Sequence, residues 1–179
     1  PLGDTVVAWI TEEDASSIRA ATDHYYSQTR PNAIQIKTYD NYSSTRRFNC
    51  HSYAWYMSQK NPELTNPRWI GYYSGNTDEH IYWEGGSYIE VANETYPGMV
   101  SWISDDHSAI TTLTPGKWKS KWGSNVLAIH NWNDCPYVTT NLKYYSPFKV
   151  DNPSCVCYGD EATFYTPDYV NCTYNWTYD

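Results

Sequence analysis

The chain has 179 residues, enough for one domain or one domain with a sizeable extension, and it is 40% hydrophobic with 19 Tyr and 9 Trp against only 3 Phe and 2 Met. Twenty acidic and 12 basic residues leave a formal charge of -8, and the basic residues form no stripe, so nucleic acid is not an expected partner. No apolar run is as long as a membrane span requires, and a start at Pro1-Leu2-Gly3 is what removal of a signal peptide or tag would leave.

The chain opens on a short apolar run, Val6 to Ile10. Thr11 then reads as the cap of a helix with Glu12-Glu13-Asp14 in its first turn. Ala15, Ile18, Ala21 or Thr22, and Tyr25 mark its apolar face, and Pro31 closes it. His24 reads as a surface histidine. Ile34 to Tyr39 alternates as a short strand does, and 40–47 is a polar loop.

Asn49 is a good N-cap for a second helix, with Cys50, Tyr53, Ala54 and Met57 on one face and an end near Lys60 imposed by Pro62. Backbone N–H groups in the first turn favour thiolate over thiol, which marks Cys50 as a candidate nucleophile; the competing reading is an inert buried hydrophobe. His51, next along the helix, should point away from Cys50 and serve structure. From Asn61 to Gly86 the chain is irregular and aromatic. A loop this long suggests binding, with Tyr73, His80 and Trp83 as substrate contacts; the alternative is that its rings pin it to the core.

Beyond Gly86 the pattern is that of an antiparallel meander. Strands are expected at 87–92, 99–103, 107–113, 118–122 and 126–130, with turns at Tyr96-Pro97-Gly98 and Thr114-Pro115-Gly116-Lys117. His107 begins the third of these. His130 reads as a buried, hydrogen-bonded histidine. A metal site built from His107, His130 and Asp105 or Asp106 lacks a compact ligand motif, and no cofactor is expected.

From Asn131 onward the chain is rich in Tyr, Pro and Cys. Residues 137–179 read as an extension packed on a principal domain spanning 1–136. If the protein is secreted, Cys135, Cys155, Cys157 and Cys172 supply two disulfides and leave Cys50 as the odd thiol; a zinc site is the competing reading. Cys155 and Cys157 are poor partners for each other, because alternate residues of an extended chain point to opposite sides.

A cysteine at a helix start followed by a histidine on a sheet is the papain-type order of nucleophile and base. The motifs Asn49-Cys50-His51-Ser52-Tyr53-Ala54-Trp55, Gly86-Ser87-Tyr88-Ile89-Glu90-Val91, Pro97-Gly98-Met99-Val100-Ser101-Trp102, Asp106-His107-Ser108-Ala109-Ile110 and Ser120-Lys121-Trp122-Gly123 occur in that order. Together they resemble the NlpC-type and CHAP-type cysteine peptidases and amidases of the papain-like superfamily, over about Thr38 to Tyr137. Asn-Cys-His replaces the usual Asp-Cys-Ser-Gly or Asn-Cys-Thr, and 61–86 reads as an insertion.

The resemblance implies an α+β, papain-like fold with Cys50 as nucleophile and His107 as base on a small antiparallel sheet. It also implies an oxyanion hole from the Cys50 N–H and an upstream donor, Tyr39 or Tyr42. For the third catalytic group, a hairpin centred on Pro115-Gly116 sets His107 near Ser124 and puts Ser120, Trp122 and Ser124 on its face, with Ser120 or Ser124 favoured; a one-residue slip substitutes Lys119, Lys121 or Asn125, the last being the papain-like alternative. The expected function is that of a secreted, monomeric hydrolase cutting a peptide or amide bond, in cell-wall (peptidoglycan) peptide as the family suggests. Two alternatives stand beside it. One is a catalytically silent module binding glycan or peptide through an aromatic groove; the other is a secreted effector or toxin using the same dyad for acyl transfer or deamidation.

Overall fold

The computed structural model describes residues 6–59, 63–71, 81, 85, 88–103 and 106–147. Among the described residues the main helices, α1 (Ser16–Thr29) and α2 (Cys50–Trp55), are set against the strands β1 (Ala8–Trp9), β2 (Ile34–Ile36), β3 (Trp69–Ile70), β4 (Tyr88–Val91), β5 (Met99–Trp102), β6 (His107–Thr111), β7 (Lys117–Lys121), β8 (Leu127–Asn131) and β9 (Leu142–Pro147). It is an α+β fold with few helices and one large antiparallel sheet. That sheet has the order β2-β8-β7-β6-β5-β9-β4, and β1 pairs with β3 in a separate ribbon. Among the described residues no helix is long and apolar enough to cross a membrane.

The meander from β5 to β8 follows the expected strands to within a residue or two. Strand β9 is not among them. It enters between β5 and β4, pairing Val100 with Tyr144 and Glu90 with Tyr145. Residues 142–147 are therefore part of the main sheet, and a domain boundary after residue 136 would run through a single sheet. Gly98 permits this insertion: a Cβ there would lie 2.6 Å from the Thr95 carbonyl and 3.1 Å from that of Tyr145.

The first helix corrects two expectations. Its N-cap is Ala15, without a side-chain bond, rather than Thr11. Glu13 does not serve the helix start but the loop before α2, where its carboxylate accepts from the Thr45 hydroxyl (2.5 Å) and the Arg46 N–H (3.0 Å). The apolar face read from the sequence also points outward, with Ile18 54% and Tyr25 58% exposed while Arg19 is 2% exposed. Arg19 donates to the carbonyls of Ser44 (2.8 Å) and Tyr39 (2.6 Å), and Asp23 accepts the N–H groups of Ser43 and Ser44. Thus α1 binds through its polar face to the loop that leads into α2. Buried backbone groups need partners, and here acidic and basic side chains supply them.

Side chains alternate across the strands, so each face of the sheet has its own core. Beneath α2 lie Phe48, Tyr53, Met57 and Leu127 in one cluster, and Ala54, Trp55, Met99 and Tyr145 in another. The opposite face buries Val100, Trp102, Ala109, Trp118 and Trp122, with Cys135 among them. Each buried aromatic removes roughly 150–250 Å² from water, which makes these indoles the largest contributors to both cores.

Candidate functional site

The site is assembled at the start of α2. The Asn49 side chain accepts the Ser52 N–H at 3.0 Å, capping the helix as the sequence suggested. Its amide also donates to the Ile70 carbonyl at 2.7 Å, which fastens the β1–β3 ribbon beside the helix start. Between them lies a cleft of about 570 Å³. Cys50, His51, Trp9, Trp69, Asp106 and Ser124 are among the residues that line it. Cys50 is 5% exposed.

His51 is held from both sides. Its Nδ1 lies 2.9 Å from the Ser108 hydroxyl and its Nε2 3.2 Å from Asp106 Oδ1. Trp55 Nε1, a donor only, meets the same hydroxyl at 3.1 Å. For a neutral imidazole this assigns Ser108 O–H as donor to Nδ1 and Nε2–H as donor to Asp106. For an imidazolium the spare lone pair of Ser108 accepts from Nδ1–H instead. The ring can therefore gain or lose a proton without losing a partner. Ser108 itself is 0% exposed, which removes it as a nucleophile. The i, i+4 spacing of His51 and Trp55 was the sequence signal for this shared contact.

His107 is where the structure departs most from expectation. Because Ser108 faces α2, His107 points to the other side of β6. There its ring stacks on Tyr137 at 3.6 Å and meets Trp102 edge-on at 4.7 Å. It is 0% exposed, and among the described residues neither ring nitrogen has a hydrogen-bond partner. Burial, with smaller contributions from the charges of His51 and His130, holds its pKa well below that of an ordinary histidine. Tyr137, which also lines the cleft, stands between His107 and that space. Among the described residues His107 makes no hydrogen bond to Cys50. The imidazole that lines the cleft with Cys50 is His51, whose ring nitrogens are turned to Ser108 and Asp106.

The remaining candidates separate in the same way. The observed pairs Ile110–Lys119 and Thr111–Trp118 are displaced by two residues from the register that sets His107 opposite Ser124. The shift preserves the face, so Ser120 does lie on the His107 side. Its hydroxyl, however, accepts from Trp122 Nε1 (3.0 Å) and bonds His130 Nε2 (2.8 Å), leaving His107 unserved. His130 is buried and hydrogen-bonded, its Nδ1 lying 2.8 Å from the Asn131 carbonyl, and burial lowers its pKa. Ser124 lines the cleft, whereas the Asn125 carbonyl accepts from Lys121. The Tyr39 hydroxyl donates to the Leu64 carbonyl at 2.7 Å, its ring packs on Phe48, and it does not line the Cys50 cleft as an oxyanion donor would. Tyr42 lies under the Arg19 guanidinium. Tyr73, His80 and Trp83 lie outside the described residues, as do Cys155, Cys157 and Cys172. Cys135 Sγ is 3.8 Å from the Tyr137 carbonyl.

Lys121, which the sequence offered only as an alternative under a one-residue slip, is buried, and that burial was not read from the sequence. It is 0% exposed, and its ammonium donates to the carbonyls of Gly123 (2.6 Å) and Asn125 (2.7 Å). Burial pushes its pKa down to about 7, against an opposing pull from Cys50, Glu13 and Asp23. Alternation of Lys117, Lys119 and Lys121 marks one face of β7, but a lysine face reads as solvated rather than buried. Among the described residues no three His, Cys, Asp or Glu side chains converge as metal ligands. No protein-family model matches this chain, and neither a curated protein nor a solved structure is found to match it.

Proposed function

We propose that this chain is a papain-like cysteine hydrolase of peptide or amide bonds, acting outside the cytoplasm on a peptide such as that of a cell wall. The observation that carries the reading is that Cys50, His51 and Asp106 line one cleft, with the His51 ring held between Asp106 and the buried Ser108. Cys50 is the nucleophile. Its thiol proton passes to the His51 imidazole as the sulfur bonds to the substrate carbonyl carbon; the C–N bond then breaks and the amine leaves with that proton, supplied by the imidazolium. Water then attacks the thioester, giving up a proton to the imidazole, and releases the acid and the free thiol. Asp106, 3.2 Å from Nε2, orients the ring. The Trp9 and Trp69 walls offer flat apolar surface to an extended peptide.

A second reading is a silent module that binds peptide or glycan in the same cleft. It is favoured by the engagement of both His51 nitrogens and by the orientation of His107. Peptide hydrolysis, together with iodoacetamide labelling mapped to Cys50, separates the two. For the hydrolase, Cys50→Ala abolishes turnover, His51→Ala lowers it by about a hundredfold or more, and His107→Phe keeps it within a few-fold of the parent. Binding without turnover, with slow labelling indifferent to His51, overturns the hydrolase in favour of the binding module. Loss of turnover in folded His107→Phe restores His107 as the base and refutes the assignment to His51.

A further inference from the structure

We propose that Arg46 is a specificity-determining residue of the Cys50 cleft, its guanidinium binding a free carboxylate on the peptide that enters. The peptide taken by this site is then one that carries a carboxylate beside the amide presented to Cys50. This rests on the reading of the cleft as a peptide site.

Arg46 lies shortly before Cys50, in the loop that carries the chain from β2 into α2. Its backbone is tied on both sides: the N–H donates to Glu13 at 3.0 Å, and the carbonyl accepts the Thr11 hydroxyl. The residues before it are held as well, Thr45 N–H donating to the Asn125 carbonyl at 3.3 Å and the Ser44 carbonyl accepting from Arg19 at 2.8 Å. The side chain is the opposite. It is 48% exposed, and it lines the same cleft of about 570 Å³ as Cys50 and His51. Among the described residues its guanidinium meets one carboxylate, Asp14, through one nitrogen at 3.4 Å. A guanidinium has five N–H donors in a fork that matches a carboxylate, and its strong pairs are bidentate at roughly 2.7–2.9 Å. The single long contact to Asp14 leaves most of that fork to an incoming group, on a backbone already fixed in place.

The neighbouring charges are engaged elsewhere. Glu13, which holds the Arg46 backbone, has the guanidinium groups of Arg47 and Arg19 at 3.4 and 3.7 Å. Asp106, 61% exposed, turns Oδ1 to His51 Nε2 at 3.2 Å. Within the Asp14–Arg46 pair the cation is the more open partner, 48% exposed against 23%. An ion pair at such exposure is weak and screened by salt, so a ligand carboxylate competes with it readily. The indole N–H of Trp9 donates to the Gly71 carbonyl at 2.9 Å, so the charged contact in this part of the cleft falls to Arg46. With a formal charge of -8 the chain as a whole repels anions, and selection of a carboxylate has to come from a local contact of this kind.

Two reagents that differ in charge at the same reacting carbon test this without a known substrate. Cys50 labelling by iodoacetate and by iodoacetamide is compared in the parent, Arg46→Gln and Arg46→Lys, at about 10 mM salt, where the screening length is roughly 30 Å. The expected result is that Arg46→Gln lowers the ratio of the iodoacetate rate to the iodoacetamide rate by about fivefold, and that about 0.15 M salt narrows the difference. Arg46→Lys, which keeps the charge but loses the fork, should fall between the two. An unchanged ratio, or the same loss with both reagents, overturns the assignment. A second measurement does not depend on Cys50 chemistry. The Arg46 Nε–H resonance is followed by NMR in Cys50→Ser while acetyl-Ala-Ala-Gly is added with a free C-terminal carboxylate or as its amide. Movement with the acid and not with the amide is expected; equal movement, or none with either, overturns the role of Arg46. A Cys50 inert to both reagents, with the acid still selected, refutes the nucleophile and leaves Arg46 as the carboxylate contact of a binding module. A reactive Cys50 without selection does the reverse.

Discussion

Asn49 and Ile70 are bonded to each other twice, the Asn49 amide donating to the Ile70 carbonyl at 2.7 Å and its oxygen accepting the Ile70 N–H at 3.3 Å. The same oxygen caps α2 through Ser52. One buried side chain thus joins the start of the cysteine helix to the ribbon that walls the cleft. Asn49→Ala removes the cap, worth about 1 kcal/mol, and strands two backbone groups of β3. A total loss of about 2–4 kcal/mol is expected in urea unfolding. Asn49→Asp should recover part of it, since a carboxylate still accepts but no longer donates. A loss in Asn49→Ala no larger than that of an exposed cap would show that the ribbon does not depend on this residue.

His107 makes stability depend on pH with a definite sign. Its folded pKa is depressed, so the unfolded chain binds more protons from the ordinary histidine value of about 6.5 downward. Stability should therefore be fullest above that value and fall as the solution is acidified towards the folded pKa. His107→Phe fills the same stack on Tyr137 and Trp102 without orphaned nitrogens. Denaturant midpoints at about pH 7 and about pH 5 should show the variant losing less on acidification, by up to roughly 1.4 kcal/mol for each pH unit over which His107 alone titrates. A parent and variant that fall in parallel would mean that His107 is not the group responsible.

Glu13 is the acceptor around which the approach to α2 is built. It takes the Thr45 hydroxyl and the Arg46 N–H, with the guanidinium groups of Arg47 at 3.4 Å and Arg19 at 3.7 Å. Thr45 is 0% exposed, so it cannot turn to water when Glu13 is lost. Glu13→Ala is expected to cost about 2–3 kcal/mol in thermal or urea unfolding. Glu13→Gln, which keeps the shape and one acceptor, should cost less. The reverse order would place the stabilisation in something other than these hydrogen bonds.

Local chemistry makes parts of this molecule readable before any folding is considered. Asn49 caps a helix because a short amide at that position reaches its own backbone, and Cys50 follows wherever that helix goes. The strands from β5 to β8 are legible from alternation and from the Pro115-Gly116 turn. Strand β9 is not, because Leu142-Lys143-Tyr144-Tyr145 lies between two partners and packs Tyr144 and Tyr145 on opposite faces, which erases the period-two signal. The buried face of α1 escapes for a related reason: hydrophobicity marks apolar packing, whereas Arg19 and Asp23 are buried by hydrogen bonds to a loop.

The sequence by itself determined that His107 and Ser108 must face opposite sides of β6, since alternation is a property of the extended backbone. It did not determine which side α2 would cover. That choice belongs to the tertiary structure, where the indole of Trp55 and the imidazole of His51 settle on Ser108, and Trp102 and Tyr137 close over His107. Parity is local, whereas the face on which a helix lands depends on how every other apolar surface in the chain is buried. For the same reason the burial of Lys121 becomes legible only once the Phe48 ring is seen to lie against its ammonium.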